Sequence, residues 1–330
     1  MTLTPQETEW LYALQRPWPL VQHPLQVLAE HLQTTTDTLL DFIHRLRQAG
    51  LVRRVGAVFD ARRLGYRSCL FGIHAPTSTQ LQTAVDAVIT QPGVTHAYLR
   101  GWPEEFQAPG YNASQYNAYP NLWYTLSAPT HCFEDAAQSL ASFNPIPFPA
   151  LTRYKIDVVF DLRTRSRDEK TEYRAPDALA DIPQITPLQQ EFVRRYQDDT
   201  LNLVDPFLPE DLPQLNTWQA DGTLRRFGLL LYHRVTGFTA NGMCCWQVPA
   251  EEIDTFGRRL ASAPEVTHCY ARPEHSSFPF TLYAMIHRTS WQEAMNTFDA
   301  LTENAHLQTY PRKIFFSTHE YKKSSLRFFI

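Results

Sequence analysis

Two heptapeptides carry residue types that could do chemistry together: "VTHAYLR" (94–100) and "VTHCYAR" (266–272). Each sets a histidine, a tyrosine and an arginine at alternate positions. Alternate residues of a strand share one sheet face, so His96, Tyr98 and Arg100 project together, as do His268, Tyr270 and Arg272. An imidazole, with an ordinary pKa of about 6.5, gives or takes a proton near neutrality. A guanidinium grips a carboxylate in a planar fork. A phenol donates a hydrogen bond and offers a flat ring. The set could hold an acidic group and exchange a proton with it. An ordinary hydrogen-bonded sheet surface would use the same residues.

The two heptapeptides lie 172 residues apart (268 − 96 = 172), and a second pair of segments keeps that offset. "VRRVGAVFDARRLGY" (52–66) matches "LRRFGLLLYHRVTGF" (224–238) at Arg53/Arg225, Arg54/Arg226, Gly56/Gly228, Arg62/Arg234 and Gly65/Gly237. The chain therefore reads as two copies of one unit, far too long for a solenoid repeat. A fused pair can imitate a two-fold symmetric dimer.

The copies differ in their histidines. His233 stands where the first unit has Ala61. Past an insertion in the first unit, "GWPEEFQAPGYNASQYNAY" (101–119), the offset falls to 160 (282 − 122 = 160), and there His287 stands where the first unit has Ser127. His268, His233 and Tyr270 are thus the expected reacting groups, in a site built mainly from the second unit and completed by the first. His96, His287, Arg100, Arg272 and the pairs Arg53–Arg54 and Arg225–Arg226 are the candidate binders of acidic groups. Any one of these histidines alone is as readily a core or surface residue, and adjacent arginines as readily a solvated strand end. The insertion, rich in Tyr, Asn, Gly and Pro, is expected to be a mobile rim of the site over residues 102–120.

Composition narrows the function. At 330 residues with 43% hydrophobic residues, the chain can bury two cores. A net charge of −4 without a long basic run argues against a nucleic-acid partner. The cysteines are Cys69, Cys132, Cys244, Cys245 and Cys269. They are odd in number and form no CxxC pair, so neither a zinc site nor a disulfide framework is indicated. No signal peptide and no membrane-length apolar run is seen, which suggests a cytoplasmic location and no membrane partner. No phosphate-cradling glycine loop appears.

Residues 1–52 have helical apolar spacing, with Leu25, Leu28, Leu32, then Leu39, Phe42, Ile43 and Leu46 separated by the capping run "TTTD". This predicts a helix-turn-helix. A ferredoxin-like βαββαβ domain follows over 53–162, its first strand being "RRVGAVFD". Residues 163–185 are charged, proline-spotted and aperiodic, and read as a linker. Residues 186–223 read as a degenerate helix-turn-helix, damaged by Pro206, Pro209 and Pro213. Residues 224–330 read as a second βαββαβ domain.

Helix-turn-helix followed by βαββαβ resembles the Lrp/AsnC transcription regulators. The segments "LVRRVGAVFDARRLGY", "PGVTHAYLR", "YPNLWYTL", "EVTHCYARP", "LYAMIHR" and "STHEYKKSSLRFF" are more particular. They resemble the siroheme decarboxylases, Lrp-like proteins that occur as paired subunits or as fusions. The resemblance covers nearly the whole chain. It departs in the longer loop at 101–119 and in the eroded second helix-turn-helix. It implies an α+β fold of tandem Lrp/AsnC-like units forming a pseudo-dimer. It also implies loss of CO₂ from two acetate side chains of sirohaem, giving 12,18-didecarboxysirohaem for haem d1 or alternative haem synthesis. Protonating the macrocycle first makes it the electron sink, so no cofactor is implied. A histidine could also take the axial position of the substrate's iron. A DNA-binding regulator and a tetrapyrrole sensor without turnover remain the alternatives.

Overall fold

The computed structural model describes residues 3–156, 184–232 and 237–330; most of the expected linker, and His233, lie outside them. The first unit opens with α1 (Pro5–Gln15), α2 (Pro24–His31) and α3 (Thr36–Gln48). Thr4 and Thr35 cap α1 and α3, and Gly50, at φ +68°, lets the chain turn out of α3. The second unit keeps α6 (Pro187–Gln197) and α7 (Leu212–Asp221), with no α-helix between them to match α2. Its prolines are less damaging than the sequence suggests. Pro209 and Pro213 fall in the first turn of a short 3₁₀ segment and of α7, where a missing N–H costs nothing.

The strands correct the expected domain boundaries. β1 (Val52–Phe59) and β7 (Leu224–Leu231) are not the first strands of the βαββαβ domains. They pair with each other as a separate antiparallel ribbon, with Gly56 opposite Gly228. The first domain begins at β2 (Tyr66–Ile73) and runs through α4 (Ser78–Thr90), β3 (Val94–Gly101), β4 (Leu122–Pro129), α5 (Phe133–Gln138), β5 (Ile146–Phe148) and β6 (Thr152–Ile156). The second begins at β8 (Ala240–Trp246) and runs through α8 (Ile253–Ser262), β9 (Val266–Ala271), β10 (Leu282–Arg288), α9 (Trp291–Asn304) and β11 (Arg312–Lys323). An apolar strand pattern does not say which strand will be its partner, so β1 and β7 fit the sequence as first strands of the domains equally well, in the place that β2 and β8 take.

The nine remaining strands form one sheet in the order β5-β2-β4-β3-β11-β8-β10-β9-β6. Each unit contributes a four-stranded ferredoxin-like sheet and then lends its last strand to the other. β11 pairs with β8 over Arg312–Phe316 and with β3 over Phe316–Lys323. Likewise β5 pairs with β2, and β6, three residues later, pairs with β9. This exchange covers the open edges of β3 and β9, and residues of both units share one aromatic core.

The ribbon forms a second core with the helices of both units. Its two glycines are spacers. A Cβ on Gly56 would stand 2.4 Å from the Asp198 carbonyl oxygen, at the end of α6, and one on Gly228 would stand 2.8 Å from that of Arg16, at the end of α1. Each glycine thus seats the first helix of the opposite unit. Gly56→Ala is expected to lower the stability measured by urea unfolding by about 1–3 kcal/mol. Gly228→Ala should act less strongly; equal or absent effects would show that the helix ends are not held this way.

The α3 surface is poorly suited to DNA. Asp37 and Asp41 are exposed on it, Arg45 is paired with Glu7 at 2.5 Å, and Arg47 with Asp199 at 2.7 Å. Few cations are left for phosphate neutralisation. Footprinting on the chain's own promoter region should show no salt-sensitive, sequence-dependent protection.

Candidate functional site

The two triplets form matching stacks on β3 and β9. His96 and Tyr98 ring centroids lie 6.2 Å apart, and the Arg100 guanidinium sits 5.1 Å from the Tyr98 centroid. In the second unit His268 and Tyr270 lie 6.3 Å apart at 20°, with Arg272 at 4.7 Å from Tyr270. Both strands carry a β-bulge just before the histidine, at Thr95 and Thr267. A bulge re-aims the side chains beside it, and each threonine hydroxyl meets the histidine next to it, at 2.9 Å for His96 and 2.8 Å for His268.

Thr267 does more. Its hydroxyl proton goes to the Met285 carbonyl at 3.1 Å, so it can only accept from His268 Nδ1. The neutral His268 ring therefore carries its proton on Nδ1 and keeps Nε2 as its acceptor atom. His287 lies opposite Asn241 and two residues from Met285, on the sheet face of β10 that also carries Tyr283, which pairs with Tyr270.

The ribbon adds one arginine to each stack. Because alternate residues face opposite ways, Arg53 and Arg225 face the nine-stranded sheet while Arg54 and Arg226 face the helices. Arg53 is one of the charges acting on His96 and Tyr98, and it bonds Ser325 Oγ at 2.7 Å. Arg225 acts on Tyr270 and donates to the Ile156 carbonyl at 3.1 Å. Arg226 instead donates to the Gln15 carbonyl at the end of α1, at 2.5 Å. Arg54 donates to the Ala57 carbonyl at 2.9 Å, beside the end of α6, and burial pulls it down to about 10. Both thus face the helices and not the stacks, where the sequence expected them among the binders: Arg226 holds the C-terminus of α1, where a cation is favoured, and Arg54 is held by its own strand.

The surroundings of the two stacks differ. Across from Tyr98 and His96, β11 presents Glu320 and Lys323. Across from Tyr270 and His268, β6 presents Arg153 and Ile156. Arg153 is held by Asp60 at 3.1 Å, which also binds Arg62 at 3.0 Å. Burial would raise the Asp60 carboxyl, but the two guanidiniums outweigh it and hold it well below the usual range. Burial, then Lys323, Arg53 and Arg100, push His96 down to about 3. Burial raises Tyr270 despite Arg272, Arg153 and Arg225, so its phenol stays a donor at neutral pH.

The 102–120 segment is a packed wall rather than a mobile rim. Trp102 stacks against Phe106 at 5.1 Å and Tyr111 at 5.0 Å, and Tyr116 meets Phe315 of the second unit at 5.1 Å. The shorter matching loop sends Phe278 the other way, onto Trp123 at 5.0 Å and Phe148 at 5.5 Å. A groove of about 350 Å³ between α8 and α9, lined by Arg259, Glu265 and Asn304 among others, lies apart from both stacks. Among the described residues no cluster of three or more His, Cys, Asp or Glu could hold a metal ion, and no helix is long and apolar enough to cross a membrane.

Comparison with known proteins gives this arrangement a family. Residues 8–53 match the siroheme decarboxylase NirDL-like HTH domain, and residues 235–322 the AsnC-like ligand binding domain. The siroheme decarboxylase of Hydrogenobacter thermophilus is 29% identical, over 97% of this chain and 93% of that one. The siroheme decarboxylase beta subunit of Methanosarcina barkeri is 38% identical over 118 residues, 36% of this chain and 76% of the subunit. The chain belongs to the siroheme decarboxylase family. A crystal structure of the siroheme decarboxylase NirDL matches the fold with a TM-score of 0.69 at 24% identity, covering 98% of this chain and 94% of that one. A second, in co-complex with an iron-uroporphyrin III analogue, matches at 0.66, covering 97% and 93%. Within this siroheme decarboxylase fold the tandem Lrp/AsnC-like units are two halves of one pseudo-dimer.

The charge around His96 has a measurable consequence. Below about pH 6.5 the unfolded chain takes up a proton at this residue that the folded protein takes up only near pH 3. The stability carried by neutral His96 is therefore present above about pH 6.5 and declines as pH falls towards 3. Replacing His96 with Gln should flatten the acid slope of the urea midpoint between pH 6.5 and 4; an unchanged slope would place that proton elsewhere.

Proposed function

We propose that the chain removes CO₂ from the C12 and C18 acetate side chains of sirohaem, leaving methyl groups, in haem d1 or alternative haem synthesis. The observation that carries this is the doubled histidine–tyrosine–arginine stack, each with a ribbon arginine beside it, in a siroheme decarboxylase fold. Its parts match the demands of the reaction. An acetate on a pyrrole β-carbon loses CO₂ when the C–C bond breaks and its electron pair passes into the ring. Prior protonation of the macrocycle makes room for that pair, and a proton then ends on the methylene carbon. The balance is one proton taken up and one CO₂ released per acetate, with no change of oxidation state demanded of the protein. No cofactor is needed beyond the substrate, whose iron is its own.

In this reading the histidines move the protons, the tyrosines stay protonated and flank the macrocycle, and the arginines orient carboxylates. His268 Nε2, fixed by Thr267 as the acceptor of the neutral ring, suits either proton uptake before donation or an axial bond to the substrate's iron. The helical modules serve as spacers, not as readers of DNA. The five cysteines are all free thiols, which supports a reducing, cytoplasmic setting.

Anaerobic incubation with sirohaem followed by mass analysis tests the reading. Loss of two CO₂ per macrocycle is expected, whereas tight binding with unchanged mass would make the chain a sensor. Site variants sort the two halves. If the second unit does the chemistry, His268→Ala should slow turnover by about 10²- to 10⁴-fold, and His96→Ala much less. Equal accumulation of the mono-decarboxylated product in both variants would assign one acetate to each half.

A further inference from the structure

The two stacks are alike in residue type but not in what their arginines already hold. Arg272 donates through Nη1 to the Phe148 carbonyl, although its Nε lacks a partner. Arg225 and Arg153 are likewise engaged, with the Ile156 carbonyl and with Asp60. Arg100 differs. Its relative exposure is 7%, and among the described residues its buried Nη1 has no hydrogen-bond partner. What it has is the Tyr98 ring on one side. A buried guanidinium with an unmet donor is costly, and such groups persist where a ligand completes them. With Arg53 and Lys323, Arg100 acts on the neighbouring His96, and Glu320 is the one acidic residue on the stretch of β11 opposite Tyr98.

Resting on the sirohaem reading, we infer that the first-unit pocket framed by His96, Tyr98 and Arg100, with Arg53 and Lys323, anchors an acidic side chain of the tetrapyrrole, and that Arg100 takes the carboxylate. The second-unit counterpart is largely occupied by backbone carbonyls that first-unit strands β5 and β6 bring to it. This reverses the weight that histidine count alone gives to the second unit. Arg100 is then a binding group, whichever half supplies the proton.

The test is a titration of the whole chain followed by its absorption band. The probes are iron uroporphyrin III and an iron porphyrin with only alkyl substituents. The variants are Arg100→Met, Arg100→Lys and Arg272→Met. Arg100→Met should weaken iron uroporphyrin binding about 10- to 100-fold and leave alkyl porphyrin binding unaltered. Arg100→Lys, which keeps the charge but not the fork, should fall between. Without ligand, Arg100→Met should raise the thermal midpoint, because an uncompensated buried charge is gone. Arg272→Met should lower it, because the Phe148 carbonyl loses its donor, and should weaken binding less than Arg100→Met does. Equal binding by wild type and both Arg100 variants, or a larger loss in Arg272→Met, would overturn the assignment. A wild-type chain that binds neither porphyrin would sink the sirohaem reading and this subsite with it.

Discussion

The antiparallel pairing of Val52–Phe59 with Leu224–Leu231 is the constraint on which the rest depends. With Gly56 opposite Gly228, it places the pseudo-two-fold axis between two residues that lack side chains. That gap admits the C-termini of the first helix of each unit, crossed over to the opposite half. The paired arginines on either side then divide by strand alternation alone. One of each pair turns to the helices, where Arg226 holds the end of α1, and the other lies beside a histidine–tyrosine stack. A register slip of one residue would exchange these roles, so the same backbone pairing that joins the units also sets the charge at both pockets.

Strand exchange below the ribbon makes each pocket a joint product. The edge strand that carries a stack belongs to one unit, and the strand facing it comes from the other. Fusion therefore frees the two pockets to diverge. A change at Glu320 or Lys323 of β11 falls beside the first-unit stack, and one at Arg153 or Ile156 of β6 beside the second. The pair Glu320 and Lys323 against Arg153 and Ile156 shows that this has happened. So does the position of His287 opposite Asn241, where the first unit has Ser127 bonded to Ser68 at 2.7 Å.

Much of this was legible in the sequence, for identifiable reasons. Duplication leaves an arithmetic trace, and the constant offset of 172 exposed it. Period-two alternation put His96, Tyr98 and Arg100 on one face before any fold was known, because strand geometry is local. The partner of β1 was not legible, since its apolar pattern fits an internal ribbon and a sheet edge equally well. Nor was the packing of 102–120: Tyr, Asn, Gly and Pro mark an irregular path, but what Trp102 and Tyr116 touch is decided by the second unit. Counting histidines favoured the second unit because sequence shows which groups exist and not which are already bonded. The backbone carbonyl at Phe148 that occupies Arg272 leaves no mark in the residue types.

Charge gives the first-unit pocket a direction of travel. Free, it gathers Arg53, Arg100 and Lys323 around a histidine that they and burial hold neutral. On the proposed reading, an arriving carboxylate would offset that surplus, complete the Arg100 donor and favour the protonated form of His96. Under the proposed decarboxylation the outcome depends on which carboxylate Arg100 would hold. If it is the one lost, a methyl group takes its place, which has nothing to offer a guanidinium, so the uncompensated charge would return and that edge of the product would be released. A carboxylate that only anchors the macrocycle would instead keep Arg100 satisfied through both losses of CO₂.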